Sequence, residues 1–542
     1  MLRSEIIREL LERRGISGEA LESYLHPSIS ALAKPEELPG VIEAADVLLS
    51  AITAGDEIVV FGDYDCDGVS ATAILSTTLR AMGAKVSAFI PNRLTEGYGM
   101  SEASISRMLR ENPGVRMIVT VDTGINTVDQ VAELKAKGLS VVVTDHHLPG
   151  EVLPAADALV DPKVAAPPHL ENLCGAGVAF LLANRVTAEA KRRGMYTGGS
   201  IGGPLLVLAG LATVTDIMPL LGQNRILVSE ALRRFGVCAP LGLKELFQRA
   251  SRTGYDKITS RDFGFMLGPR INAAGRLSSS MEALELLESD DREIVRELAR
   301  IVDTYNADRK AIEMKMTEMA MARVVEGAPA QVIDLPDGHP GVAGIVAARL
   351  MEWLKVPVCV LASGHGSARA PDGINIRDAF VSCADVLETY GGHAAAGGFS
   401  VREGKTDEFR RLLCEHCRSL AGDRSVRTAD EFADVDVWLE FSDVTMDVAE
   451  DVARMEPFGE GNEEPLFGIR GAFLADVRQV GADGRHLSVS FRDTGLRGVW
   501  WGHGQDIERL RAGSASPHDI AFNLALSDYG GRHIDLHLVA CS

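Results

Sequence analysis

The stretch VVFGDYDCDGVSAT, residues 59–72, sets Asp63, Asp65 and Asp67 at every second position between an apolar run and a glycine. Each carboxylate so placed raises the cost of ionising its neighbours. A solvated turn, with short acidic side chains capping their own backbone, is one account. A calcium loop of the EF-hand type is another, but it needs a flanking helix, a glycine at its sixth position and a glutamate at its twelfth. Here the entry is the strand-like EIVVF, and Ala71, Thr72 and Ala73 offer no such glutamate. The third account is a metal centre whose remaining partners come from elsewhere in the chain.

Those partners are sought at the ends of other apolar runs. VRMIVTVD delivers Asp122, and LSVVVTDHH delivers Asp145, His146 and His147. A later greasy run ends in ATVTDIMPL, placing Asp216 where a helix cap is the plain alternative. Consecutive histidines point to different places, so each needs its own partner. Carboxylates with one or two imidazoles and no thiolate suit Mn²⁺ or Mg²⁺ better than structural zinc. Two such cations would neutralise the cluster, bind a phosphodiester, lower the pKa of a water and stabilise a leaving alkoxide.

The elements that must position these residues read as α/β from residue 56 onward. EIVVF, AKVSAFI, VRMIVTVD, LSVVVTD and ADALV are apolar strands separated by amphipathic helices, the pattern of a parallel sheet covered on both faces. Ligands of such sheets bind at the carboxyl ends of strands, where these acids fall. Helices are expected over 4–14 and 43–54, and mostly helix from about 175 to 280. A charged, Met-rich stretch over 282–326 reads as a long connecting helix, broken near its middle. A second α/β unit follows, with VIDLP, VPVCVLAS and GSARAP as strands and GVAGIVAARLMEWL and CADVLETY as helices. Short alternating strands then indicate a small β-barrel or sandwich. The division is a helical arm (1–50), a parallel-sheet catalytic domain (51–280), a connecting helix (281–327), a smaller α/β domain (328–425) and a β-rich domain (426–542).

A chain of 542 residues is too long for one core, and 46% hydrophobic with 24% charged residues makes it globular. It carries no apolar signal core at MLRSEIIRELLERRG and no run approaching the ~18 apolar residues of a membrane span. Eight scattered cysteines, with Cys414 and Cys417 the only close pair, fit a reducing cytoplasm. A net charge of −21 argues against coating nucleic acid by bulk attraction. The charge is uneven, however: residues 430–464 hold thirteen acids against one arginine. A basic groove elsewhere remains open.

Candidate anion-binding groups are Arg93 in PNRLTEGYG, Arg270 and Arg276 flanking glycine-rich INAAG, and Ser367 and Arg369 in the Gly-rich GHGSARAPDG. Arginine binds phosphate through paired, charge-assisted hydrogen bonds. His393 lies in GGHAAAGG, where small residues admit a ligand closely.

GDYDCDG, PNRLTEGYG, TVDTG, TDHH and ATVTDIMPL, in this order, resemble the motifs of the DHH phosphoesterases. GPRINAAGR, HPGVAGIVAARL, GSARA and GGHAAAGG are similar to those of the bacterial single-stranded-DNA-specific exonucleases that carry a DHHA1 domain. The likeness covers about residues 5–475. It implies Asp65 at one metal with Asp63 contributing, Asp67, His146 and Asp216 at the other, and Asp122 bridging. It implies His147 facing the scissile phosphate and Asp145 mainly orienting. Arg93, Ser367 and Arg369 would hold a 5′-terminal phosphate, and the domain of His393 would grip substrate. The implied activity is 5′-to-3′ exonucleolytic hydrolysis of single-stranded DNA in recombination and repair. A RecQ-type helicase and a single-strand-binding protein are the implied partners, and the expected form is a cytoplasmic monomer.

Two departures stand out. The family usually has a tryptophan before HPG, where this chain has Gly338, and a lysine after the β-rich domain's His-Leu pair, where it has Ser488. MEPFGEGNEEPLF resembles the entrance to the family's OB-fold, which would bind single strands on aromatic platforms. Of Trp500 and Trp501, alternation sends one inward. A small-molecule phosphoesterase would not need the connector or the β-rich end, and a binding protein with a decayed core would not need the full ligand set.

Overall fold

The computed structural model describes residues 2–97, 99–251, 253–420, 432–481, 483–527 and 532–542. Tyr98 of the PNRLTEGYG motif, and the boundary drawn at 425/426, lie outside the described residues.

The first sheet is fully parallel, in the order β2–β1–β3–β4–β5. Its strands are β1 (Glu57–Phe61), β2 (Lys85–Phe89), β3 (Val115–Thr120), β4 (Ser140–Thr144) and β5 (Ala158–Val160). Alternate residues enter different cores. Ile58, Val60, Val119 and Val142 pack under the helices Cys66–Ala81 and Gly175–Arg192, whereas Val59, Phe61, Ile118 and Val143 meet Ile105, Met108, Val131 and Leu134 on the opposite face. After β1 the chain adds β2 on one side and β3 on the other. The mouth between β1 and β3 is thus a topological switch point, where such sheets bind ligands.

Two helices connect the units, Ser280–Glu288 and Arg292–Met321. Asp291 separates them and caps the second by accepting from the Glu293 and Ile294 amides. The second sheet is mixed, β6–β7–β8–β10–β9, with β6 (Gln331–Leu335) parallel to β7 (Val358–Ala362) and antiparallel pairing among β7, β8 (His365–Arg369), β10 (Ala396–Val401) and β9 (Leu387–Gly392). The helix expected over CADVLETY is replaced by a short turn, Ala384–Val386, and by β9. Pairing with β10 decides this, and Thr389 and Tyr390 suit a strand. The β-rich end is a seven-stranded sheet around Phe467, Phe522 and Leu536.

The N-terminal arm is not one unit. Helix Val41–Ala54 runs through the 50/51 boundary into the catalytic core, while helices Glu5–Arg13 and Gly18–Leu25, the latter unforeseen, pack Ile7, Leu10, Leu11 and Tyr24 into the core of the β-rich domain. Among the described residues no helix is long and apolar enough to cross a membrane.

Candidate metal centre

The three opening aspartates do different work. Asp65 caps helix Cys66–Ala81, one carboxylate oxygen accepting from the Asp67 amide at 3.0 Å and the Gly68 amide at 3.1 Å. The capping account is therefore true of Asp65, and its second oxygen remains free for other use. Asp67, in the first turn of that helix, accepts from the amides of Gly175 and Ala176, both at 2.7 Å. These amides open helix Gly175–Arg192, whose N-terminal dipole favours the carboxylate. Asp63 is buried at the end of β1, and its Oδ1 has no hydrogen-bond partner.

Asp122 follows β3 with φ 59°, a left-handed conformation uncommon for a residue with a Cβ. Its Oδ1 lies 3.0 Å from His146 Nε2, which also stands 3.6 Å from Asp67 and 3.7 Å from Asp216. Asp216 ends helix Gly202–Thr215. Three sets result, each with its donor atoms within 4.8 Å of one another: Asp63, Asp65 and Asp122; Asp67, His146 and Asp216; and Asp122, His146 and His147. Asp145 is in none of them. One of its oxygens accepts from the His146 and His147 amides and from His147 Nδ1 at 2.7 Å, and the other accepts from the Ile125 amide.

The electrostatics of this edge call for cations. Burial, with the Asp65 charge adding, pushes Asp63 up to about 8. Burial and the charges of Asp67 and Asp65 push Asp216 up to about 9, and Asp122 is driven well above the carboxylate range by burial and four neighbouring aspartates. Asp122 Oδ1 and Asp216 Oδ2 are, like Asp63 Oδ1, buried without a hydrogen bond. Orphaned buried carboxylate oxygens are costly, and a divalent cation satisfies several at once. The donors are oxygens and imidazole nitrogen, which fits Mn²⁺ or Mg²⁺. Burial holds His146 below its ordinary value, as a neutral ligand requires. Burial would also lower His147, but its hydrogen bond to Asp145 and that carboxylate's charge outweigh it and raise the imidazole to about 9.

Near the aspartates lies a basic group of different character. The Arg93 guanidinium sits 4.8 Å from the Tyr64 ring centre. Arg276 donates to the Gly341 carbonyl at 3.2 Å and Arg369 to the Ala368 carbonyl at 2.8 Å. Among the described residues none of the three has a carboxylate partner within 4.0 Å. Burial, then the Arg93 charge, lowers both Arg276 and Arg369. Ser367 and Arg369 lie against helix Pro340–Leu354, where a Cβ at Gly344 would stand 3.2 Å from an Arg369 nitrogen and 3.6 Å from Ser367 Oγ. Arg270 is not part of this group: it turns to the connecting helix, pairs with Asp303 at 2.8 Å and donates to the Met266 carbonyl. That pairing corrects its assignment to substrate. His393 stands exposed in the turn between β9 and β10. At Gly338 even a Cβ would crowd the Leu335 carbonyl at 2.9 Å and Ala362 at 3.1 Å, so a tryptophan has no room there.

Sequence reasoning overlooked the amides of Gly175 and Ala176, although LCGAG before an apolar run is a legible helix start. It also passed over Asn272, whose Oδ1 accepts from the Cys66 amide at 2.7 Å, and Tyr64, which no spacing singled out.

A parallel sheet with aspartates and a histidine pair at its mouth, joined by helices to a mixed-sheet unit that brings Ser367 and Arg369, defines a DHH–DHHA1 phosphoesterase. Residues 57–198 match the DHH family N-terminal domain, 327–419 the DHHA1 domain and 435–539 the RecJ OB domain. The chain belongs to the RecJ family. It is 34% identical to the single-stranded-DNA-specific exonuclease RecJ of Dickeya dadantii, over 97% of this chain and 94% of that protein. It is 33% identical to the RecJ of Bacillus subtilis, over 90% of this chain but only 61% of that protein. The crystal structure of Thermus thermophilus RecJ in complex with Mn²⁺ superposes with a TM-score of 0.82 at 32% identity, covering 98% of this chain and 75% of that one.

Proposed function

We propose that this chain is a 5′-to-3′ exonuclease that removes 5′-mononucleotides from single-stranded DNA, using two divalent cations, Mn²⁺ or Mg²⁺. The observation that carries the reading is the overlap of oxygen and imidazole sets at one strand edge, with the Arg93 and Arg276 charges close enough to act on Asp63 and Asp65. Asp63, Asp65 and Asp122 would hold one cation, and Asp67, His146 and Asp216, with Asp122 between, the other. Bound there, the cations supply Lewis-acid activation of the attacking water and the leaving oxygen.

The chain's own residues do the rest. His147, oriented by its 2.7 Å hydrogen bond with Asp145, faces the scissile phosphate. Arg93, Ser367 and Arg369 receive the 5′-terminal phosphate, Arg276 supports them from below, and His393 grips the strand from its exposed turn. Holding the end between residues of both units, at a fixed distance from the cut, sets the length of the product. The names of the relatives support single-stranded DNA as substrate. Beyond the cut, the strand follows the cleft between the catalytic and β-rich domains, where Trp501 is 57% exposed while Trp500, at 5%, faces inward and stacks on His503. We place the enzyme in recombination and repair, as a cytoplasmic monomer working beside a RecQ-type helicase and a single-strand-binding protein.

End-labelled single strands of DNA and RNA, linear and circular, incubated with Mn²⁺ or Mg²⁺, test this. Linear DNA should yield mononucleotides from its 5′ end, circles should survive, and EDTA should stop the reaction reversibly. A ladder starting at the 3′ end, or hydrolysis in metal-free protein, refutes it.

A further inference from the structure

A cleft of about 1050 Å³ separates the catalytic domain from the β-rich domain. It runs beside the metal centre, since Thr215 and Ile217, which flank Asp216, line it. Ile217 has φ 56° and is 68% exposed. Farther along, a π-helical turn, Phe263–Leu267, presents Phe265 with 78% of its surface exposed, and the Arg261 guanidinium lies 5.5 Å from that ring. Trp501 lines the facing wall. Exposed aromatic rings in a groove that runs beside a phosphodiester-cutting centre are stacking platforms for bases.

The charge of the groove is wrong for phosphates. Glu456, Glu460 and Glu464 line it, against Arg261 as its one arginine or lysine among the described residues. Neither the Glu456 nor the Glu464 carboxylate has a hydrogen-bond or ion-pair partner among the described residues. Burial, and for Glu456 the charges of Glu464 and Asp262, hold both above the ordinary carboxylate range. A strand in this cleft must therefore turn its phosphates toward solvent and its bases toward the wall. Carboxylates facing unpaired bases accept from exocyclic amino groups, as an acid accepts from cytosine N4.

We propose that Glu456 and Glu464 are specificity residues that read the base edges of the strand 3′ to the cut, favouring bases that carry an exocyclic amino group. This rests on the reading of the chain as a single-strand exonuclease. Phe265 and Trp501 supply stacking that is indifferent to base identity, and the two glutamates supply the discrimination.

The test uses the full chain with Mn²⁺ and two 5′-phosphorylated strands that share the same 5′-terminal segment and differ in their tails, deoxycytidine in one and deoxyuridine in the other. The tails differ only in an amino group against a carbonyl and its ring proton, and the first nucleotide released is identical. The deoxycytidine tail should give a KM lower by roughly tenfold, the worth of about one charge-assisted hydrogen bond, with equal kcat. The double substitution Glu456→Gln with Glu464→Gln should bring the ratio close to one, since an amide serves either base. Phe265→Ala should raise KM for both tails alike. Equal KM for the two tails in the unaltered enzyme, or a preference that survives the double substitution, overturns the proposal while leaving the exonuclease reading intact. If neither strand is cut from its 5′ end, that reading falls and takes this one with it.

Discussion

Gly175→Ala is the most exacting test of how the metal centre is built. Elsewhere at a helix start, an added methyl would be neutral or stabilising by about 0.4–1 kcal/mol, through loss of unfolded-state freedom. Here a Cβ would stand 2.6 Å from both Cβ and Oδ1 of Asp122. Asp122 Cβ cannot swing away, because it is fixed to a backbone already in the left-handed region. Either Asp122 moves or the start of helix Gly175–Arg192 retreats from Asp67, whose two 2.7 Å hydrogen bonds come from that start. Overpacking costs about 1–3 kcal/mol, and weakening a hydrogen bond to a charged group about 1.5–3 kcal/mol. The clash therefore outweighs the entropic gain. Since each ~1.4 kcal/mol is tenfold, the Mn²⁺ concentration for half-maximal hydrolysis should rise ten- to a hundredfold. Thermal unfolding without metal should shift by a few degrees only. Gly177→Ala is the control on the same helix, since its Cβ would meet Leu173 no closer than 3.4 Å. Unchanged Mn²⁺ dependence and unchanged turnover in the Gly175 variant would refute the reasoning.

Asp122→Ala should nearly abolish turnover at saturating Mn²⁺ while leaving the circular dichroism spectrum intact; retained activity removes it from the shared position. Arg369→Ala should raise KM for 5′-phosphorylated strands more than it lowers kcat, and should erase the advantage of a 5′ phosphate over a 5′ hydroxyl. In chelated protein Asp63 and Asp216 bind protons that the unfolded chain releases near the ordinary carboxylate range, so stability should fall as pH rises from there toward about 8–9. Saturating Mn²⁺ should remove that slope, as read by thermal unfolding across pH; a slope of the opposite sign in chelated protein counts against the burial argument. Arg225, 2% exposed, donates to the carbonyls of Tyr24, Met455 and Glu456 and lies 3.8 Å from the Tyr24 ring. Arg225→Ala should cost about 3 kcal/mol and split unfolding into two transitions; a single transition at the original temperature would show the contact is dispensable.

The strand ends were legible because a parallel sheet gives position to anything that follows an apolar run: Asp63, Asp122 and His146 meet for that reason. Helix-terminal Asp216 joins them only through tertiary packing of helix Gly202–Thr215, which periodicity does not reveal. Arg270 and Arg276 are six residues apart on one helix and look equivalent as text. Helical rotation sends one to Asp303 and the other toward Arg93. The same limit hid Gly175, since its importance lies in an approach by Asp122, a residue far away in the chain.

Charge was the least legible property, and the N-terminal arm shows why. Several of the thirteen acids of residues 430–464 bind that arm. Asp451 accepts from the amides of Arg3 and Ser4 at 2.6 and 2.7 Å, Glu450 pairs with Arg3 at 2.6 Å, and Asp436 pairs with Arg14 at 3.2 Å. A local charge count assigns to solvent what the fold spends internally, because the partners are more than 400 residues away. Glu456 and Glu464 are left facing the cleft without arginine or lysine pairing partners among the described residues. It follows that the β-rich domain cannot be removed alone: cutting the chain near residue 425 would strip these partners and expose Ile7, Leu10, Leu11 and Tyr24. Weaker binding of long strands by such a truncation would report an unpacked arm as much as a lost stacking face. Only single substitutions at the cleft, at Trp501 or Phe265, separate the two.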